Sequence, residues 1–448
     1  MQDFWSPLQL LIERTCLEFD KIWQTRQRVI DTQFLVTFIL KLVLSKNNQG
    51  YKILLNELWE TEEISKLQQN PVSASSLCEA RQKMPEMIFS QLNQKILELR
   101  EESHPLPLWR KHRVFGVDGS KINVPHELLT AGYTAPNRHQ YYPQGLMSTL
   151  YHLGSGLIYD GTLSSGKSER DVLLAHMERL IPGDVLVLDR GYFSYLILTK
   201  AIEKGIHLIC RMQSGNVNRA VQLFWDSDKS DDVITYIPSI AVKYECRKQG
   251  YDIEPDPIQL RLIKYTIENE TYVFGTTLLD KQQYPLSEFP AVYHGRWGIE
   301  ELYKISKEYI DVEDFHSKSE RGVKQECYAH MFLINLARIF ESETDKQFPP
   351  SSSEARKSSQ EKNSYWQDFC GEIKNIKINF KNCLLVIGRG LEKLLLPMND
   401  KNFDCLPRIL SSISRVRQKI RPGRHAPRQS RKPINKWSSS NGGKVTYA

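Results

Sequence analysis

The sequence predicts an α/β protein, with a mixed sheet in the middle of the chain and helical regions on both sides. Three observations carry that expectation. Residues 1 to about 105 place apolar residues at helical spacing, residues 113–211 change to short apolar strands alternating with helices, and helical spacing returns from Ala291. The chain has 448 residues, 40% hydrophobic and 25% charged. That is material for about three domains. It excludes a disulfide-framed mini-protein and a wholly disordered chain.

Each element has its own signal. Leu8 to Ile22, Thr32 to Leu44 and Tyr51 to Leu58 read as the first helices. The serines of Ser73-Ala74-Ser75-Ser76 can cap another helix, which bears Arg81 and Lys83. From pattern alone this region is a helical packing domain, with a small DNA-binding region as the alternative. Pro105 and Pro107 mark its end. Val114 to Val117 is a short strand ending at Asp118. Ser148 to Leu153 and Leu157 to Leu163 are strands joined by Gly154-Ser155-Gly156. Ser168 caps a helix through Leu180, with Asp171 at the capping-box position. Val185-Leu186-Val187-Leu188 is a strand buried on both faces, and it stops at Asp189. A helix from Tyr195 to Lys204 and a strand from His207 to Arg211 follow. Residues 212 to about 282 read as β-rich, with a hairpin of Gln259 to Ile267 and Thr271 to Leu279 around Glu268-Asn269-Glu270. Helical segments, one of them Val323 to Phe340, then run to about Leu396, broken by a polar loop at Ser351 to Gln360.

No membrane span is expected. The best apolar run, Phe34 to Leu44, has 11 residues and contains Thr37 and Lys41, whereas a spanning helix needs about 20. Met1-Gln2-Asp3-Phe4-Trp5 has no signal-peptide character. The eight cysteines form no C-x-x-C and no zinc spacing, so they read as reduced thiols in a cytoplasmic setting. The formal charge is +7, but ten basic residues and no acids fall between Ser411 and Ala448, leaving the first 410 residues at −3. With Pro422, Pro427 and Pro433 and a Ser438-to-Gly443 polar run, this tail is expected to lack order. It reads either as an arm that contacts phosphates or as a solvated tail without a partner.

The sharpest chemistry lies after residue 292. On a helix, Tyr293, Arg296, Glu300, Lys304 and Lys307 share a stripe about 80° wide, and Ile299, Leu302 and Ile305 lie opposite. Gly295 and Gly298 weaken the first turns. A solvated face with a Glu300–Lys304 pair satisfies this pattern too. Trp297, on the polar stripe, reads as a minor packing residue or as a stacking surface for a base. Asp118 and Asp189 each end a predicted strand, where open α/β sheets collect functional groups. Taken singly, each reads more readily as a turn residue. Together with a helix glutamate they suit two-metal phosphoryl transfer, because Mg²⁺ takes hard oxygen ligands.

Tyr293, Arg296, Glu300 and Lys307 satisfy Y-(2)-R-(3)-E-(6)-K without a departure. This resembles the signature of the insertion-sequence-four family of bacterial DDE transposases. Val117-Asp118-Gly119-Ser120 resembles the family's first-aspartate strand, and Asp184 to Asp189 with Arg190-Gly191-Tyr192-Phe193 resembles its second. Tyr142-Pro143-Gln144, Ser168-Glu169-Arg170 and the Ser75 to Lys83 segment match as well, so the resemblance covers roughly residues 70 to 320.

The resemblance implies an RNase H-like catalytic core, with the β-rich insertion in the 110 positions between Asp189 and Glu300. The domain plan is a helical DNA-binding region at 1–105, a core at 106–211 and 290–322, an insertion at 212–289, a helical region with a dimerisation role at 323–410, and the basic tail at 411–448. It further implies that Asp118, Asp189 and Glu300 are the catalytic, metal-binding triad, holding two Mg²⁺ ions with Mn²⁺ able to substitute. Tyr293, Arg296, Lys304 and Lys307 would contact phosphates of double-stranded transposon ends, and Trp297 would hold a flipped base. Trp225 is a weaker candidate for that stacking role, with insertion core as its alternative. The expected reaction is strand cleavage at insertion-sequence ends and strand transfer into target DNA by a homodimer at the bacterial nucleoid, with no protein nucleophile. The competing expectations are an RNase H-like nuclease that cuts without joining and a domesticated, non-catalytic DNA-binding protein.

Overall fold

A computed structural model describes residues 2–24, 29–45, 50–60, 71–215, 218–254, 256–267, 270–308, 310–350, 376–396 and 405–419. The polar loop expected at 351–360, Cys370, the Glu268-Asn269 turn and residues 420–448 of the basic tail lie outside them. The other seven cysteines are free thiols. No described helix is long and apolar enough to cross a membrane.

The centre of the fold is an eight-stranded sheet. Its strands are β1 (Val114–Asn123), β2 (Gln144–His152), β3 (Leu157–Ser164), β4 (Val185–Leu188), β5 (His207–Arg211), β6 (Asp231–Tyr236), β7 (Ile258–Ile267) and β8 (Glu270–Thr276), in the order β3-β2-β1-β4-β5-β8-β7-β6. The first three strands pair antiparallel, and β4 and β5 run parallel to β1. That 3-2-1-4-5 arrangement is an RNase H-like core. The β4 run shows why the sheet is central: Val185 and Val187 enter one apolar cluster while Leu186 and Leu188 enter the other. Successive side chains alternate across a strand, so an unbroken Val/Leu run is stable only when both faces are covered.

Helices supply the covers. On one face lie α6 (Glu169–Met177) and α7 (Tyr195–Glu203), whose Leu173, Met177, Ile197 and Leu198 join Phe115 and Val117. The capping box expected at the start of α6 is present: Ser168 accepts from the Asp171 N–H, and Asp171 accepts from the Ser168 N–H. The other face meets α11 (Trp297–Glu308) and the 28-residue α12 (Glu320–Gln347).

The insertion carries three of the eight strands, β6, β7 and β8. Its hairpin extends the core sheet, because β8 pairs antiparallel with β5. It also contains two helices, α8 (Arg219–Asp226) and α9 (Ile240–Lys248).

The amino-terminal helices α1 (Gln2–Trp23), α2 (Thr32–Leu44), α3 (Tyr51–Trp59), α4 (Ala74–Lys83) and α5 (Ile88–Ser103) share a core with α12. α2 is apolar all round and correspondingly buried. Arg81, on the helix capped by Ser73, is buried and paired with Glu326 at 2.9 Å. A buried amide clamp adds specificity: Asn335 donates to Asn93 Oδ1 and to the Ile158 carbonyl, and accepts from the Ile158 N–H.

After α12 come α13 (Phe380–Arg389), α14 (Leu391–Leu395) and α15 (Cys405–Ser414), and β9 (Ile376–Ile378) pairs with β10 (Arg417–Lys419). Order therefore continues past Ser411, where the unordered tail was expected to begin. The reason is local: Ile413 is buried, and Arg417 donates to Asp345 at 2.7 Å.

Candidate active site

Strand β1 runs on past Asp118, which was expected to end it. Its pairing with β4 stops at Gly116, however, so Asp118 stands two residues beyond the last shared position, where the sheet opens. Asp189 follows β4 directly. Both aspartates thus stand at the same end of the β1–β4 pairing, beside the first turn of α11.

That helix starts later than the 3.6-residue pattern expected. The segment breaks into α10 (Phe289–His294) and α11 at Gly295-Arg296. The stripe predicted on one continuous helix is therefore divided. Tyr293 and Arg296 are only 8% and 7% exposed, whereas Glu300, Lys304 and Lys307 face solvent. Close approach explains two glycines here. A Cβ at Gly116 would stand 2.7 Å from Ile299 Cδ1, and one at Gly298 would stand 3.1 Å from the Tyr151 ring.

The buried pair serves the acids. Arg296 donates from Nη1 to Asp118 Oδ2 at 3.2 Å and from Nη2 to Glu300 Oε1 at 2.9 Å. The Tyr293 hydroxyl donates to Asp189 Oδ1 at 3.0 Å. Asp118 Oδ1 accepts from the Gly119 N–H at 2.9 Å. Burial holds the Asp118 carboxyl above its ordinary range; the Gly119 N–H and Arg296 oppose this, while Glu300 and Asp189 push the same way. Burial and the Asp189 charge likewise push the Tyr293 hydroxyl up. Burial would lower the Arg296 guanidinium, but Tyr293 and the three carboxylates outweigh it. Three acidic side chains from distant segments are thus coupled through one cation.

Among the described residues, no group of three His, Cys, Asp or Glu side chains stands close enough to hold a metal ion as arranged. The Arg296 guanidinium occupies the space between two of the acids, with its own Nε buried and unpartnered. An all-carboxylate donor set is what a hard divalent cation takes. The guanidinium marks where these acids need positive charge. By donor chemistry Asp118, Asp189 and Glu300 are the residues that would hold a divalent cation here.

The remaining candidates divide. Trp297 is 55% exposed, with its ring 5.1 Å from that of His294. With Glu300, Glu301 and Lys304 it lines an open cavity of about 600 Å³. Lys307 Nζ donates to the Lys121 carbonyl at 2.9 Å, alongside β1 beyond Asp118. Trp225 lies far down the chain on α8, half-buried against the insertion core, with its Nε1 unpartnered.

Sequence reasoning missed Tyr303. Its buried hydroxyl donates to the Asp118 carbonyl at 2.7 Å and meets Thr149 Oγ1 at 3.1 Å, fixing α11 against β1 and β2. A tyrosine on the apolar side of a helix was the available signal, because a buried phenol needs a partner.

The model of the transposase DDE domain matches residues 109–336, half of the chain. The chain belongs to the transposase DDE-domain family, whose members generally use divalent metal ions. It is 22% identical over 276 residues to transposase InsG for insertion sequence element IS4 of Escherichia coli strain K12, across 60% of this chain and 61% of that protein. The chain thus spans about three-fifths of the length of that relative. Among solved structures, it is similar to the cryo-EM structure of a piggyBac transposase synaptic complex with hairpin DNA, at TM-score 0.41 and 10% identity, over 100% of this chain and 89% of that one.

Proposed function

We propose that the protein is a DDE transposase that cleaves DNA strands at insertion-sequence ends and joins them to target DNA, using Mg²⁺. One observation carries the reading: Asp118, Asp189 and Glu300, from three separate elements, gather around Tyr293 and Arg296 at the open end of the sheet. Asp118, Asp189 and Glu300 would hold the divalent cations. Bound there, such ions activate the attacking oxygen and neutralise the leaving one.

The chain's own groups do the rest. Tyr293 orients the Asp189 carboxylate, and Tyr303 fixes the backbone at Asp118. Arg296 balances the charge of Asp118 and Glu300, and its guanidinium would suit a DNA phosphate as an alternative partner. Lys304 and Lys307, exposed on the next turns, would hold the transposon-end backbone, with Trp297 offered to an unstacked base. The helical region 1–105, the helices after residue 323 and the basic tail would add DNA contacts and a homodimer interface. The chemistry relies on electrostatics and positioning, without a protein nucleophile.

Asp118→Ala, Asp189→Ala and Glu300→Ala should each reduce cleavage of a labelled transposon end by at least about a thousandfold. End binding in a gel-shift assay should be retained. Cleavage at the unaltered rate in any of the three would overturn the assignment.

A further inference from the structure

The proposed chemistry leaves one buried hydrogen-bonded chain unused, on the face of the sheet that α6 covers. His176, in the last turn of α6, is fully buried. Its Nδ1–H donates to Asp160 Oδ2 on β3 at 2.9 Å, because an ionised carboxylate only accepts, and its Nε2 lies 3.1 Å from Ser148 Oγ on β2. Ser148, also fully buried, donates in turn to the backbone carbonyl of Asp118 at 3.3 Å. A serine hydroxyl has one proton. Since that proton points to Asp118, Ser148 accepts from Nε2–H, so both ring nitrogens donate and the Asp160 carboxylate balances the charge. The order Asp, His, Ser is that of a hydrolase triad, but the buried Ser148 hydroxyl ends on a carbonyl, out of reach of a substrate.

The place where the chain ends gives it a role. β1 loses its β4 neighbour after Gly116, so at Asp118 the strand is paired on the β2 side. The Asp118 carbonyl also accepts from the Tyr303 hydroxyl at 2.7 Å. Tyr303 meets Thr149 Oγ1, and Ser148 and Thr149 are successive on β2, so their side chains lie on opposite faces. One carbonyl is thus held by Tyr303 from the α11 face and by Ser148 from the α6 face. The two contacts fix the backbone that carries the Asp118 side chain, where the sheet opens.

We propose that Asp160, His176 and Ser148 are positioning residues for Asp118, setting where its carboxylate stands for a divalent cation. The inference rests on reading Asp118 as a cation ligand. Groups behind a metal ligand hold its geometry, and losing one costs about tenfold or more in metal affinity. The simpler role, a satisfied polar cluster that only packs α6 on the sheet, involves no cation and gives a different outcome.

The test is the Mn²⁺ affinity of the full chain by calorimetry, with transposon-end affinity by gel shift beside it. Asp118→Asn is the control for the site. If it binds Mn²⁺ as tightly as the parent, the reading of Asp118 fails, and this inference with it. If it loses Mn²⁺, Ser148→Ala should weaken Mn²⁺ affinity about tenfold and leave end binding in place. Ser148→Thr, which keeps the hydroxyl, should bind Mn²⁺ as the parent does. His176→Leu should lose as much as Ser148→Ala, and the double variant no more than either, because both act through one hydroxyl. Leu173→Ala loosens α6 against the sheet without touching the chain, and should leave Mn²⁺ affinity at the parent value. Parent-like affinity in Ser148→Ala would overturn the proposal. So would additive losses in the double variant, or a loss in Leu173→Ala equal to that in Ser148→Ala, since each marks a role in packing alone.

Discussion

At the scale of single residues, burial separates side chains that the sequence placed together. Tyr293, Arg296, Lys304 and Lys307 share one predicted helical stripe. Yet the first two are turned inward onto Asp189, Asp118 and Glu300, while the lysines remain in water. The stripe is thus divided between side chains that order the acids and cations left free to meet a polyanion. The proposed role of Lys307 is the second. Among the described residues its ammonium donates to a backbone carbonyl, that of Lys121, and no acid neutralises its charge. Lys307→Ala should weaken transposon-end binding and lower the slope of log affinity against log salt by about 0.9, the loss of one phosphate contact. An unchanged slope in a salt titration would remove Lys307 from the interface.

At the scale of elements, α12 holds the helical region to the catalytic core. Its most exacting contact is with α4. Arg81 donates to Glu326, to Gln325 Oε1 and to the Gly322 carbonyl, and Gln325 donates back to the Arg81 and Met84 carbonyls. Burial pushes the Glu326 carboxyl up, but a hydrogen bond from His316 and the Arg81 charge outweigh it, so it stays below its ordinary value. A buried pair of this kind adds little net stability over an apolar pair, but breaking it strands a charge. Arg81→Ala should therefore destabilise the fold by about 3–5 kcal/mol in urea denaturation. Arg81→Met together with Glu326→Leu should recover much of that loss. A near-neutral single substitution would mean that water reaches Glu326.

At the scale of the whole molecule, the core is enclosed so thoroughly that two histidines, His152 on β2 and His330 on α12, stay neutral inside it. Burial, with the Arg113 charge, holds His152 down at about 3, and burial holds His330 down at about 4. An unfolded histidine titrates near 6.5. Both pKa values are depressed by folding. The stability they allow is therefore complete above about pH 6.5 and is lost as the pH falls toward 4, where the unfolded chain takes up protons that the folded chain refuses. His152→Asn should reduce the fall in unfolding free energy between pH 6 and pH 5 by about 1 kcal/mol. Parallel stability curves for the variant and the parent would show that His152 takes up its proton in the folded state.

The sequence by itself determined the elements and the acids. Thr32–Leu44 and His207–Arg211 have the bounds read from the pattern, and the Val185–Leu188 run is covered on both faces, because periodicity and capping act through neighbours in the chain. Asp118, Asp189 and Glu300 were legible as candidates from chain position and motif. What only the tertiary structure decided is everything that depends on distant segments meeting: the joining of the insertion hairpin to β5, the inward turn of Tyr293 and Arg296 at the Gly295 break, the anchoring by Tyr303, and the chain from Asp160 through His176 and Ser148 to the Asp118 carbonyl. A hydrogen bond between residues 178 positions apart, such as Arg296 to Asp118, leaves no periodic trace in the chain. It exists only once the sheet has formed and a helix has packed against its open end.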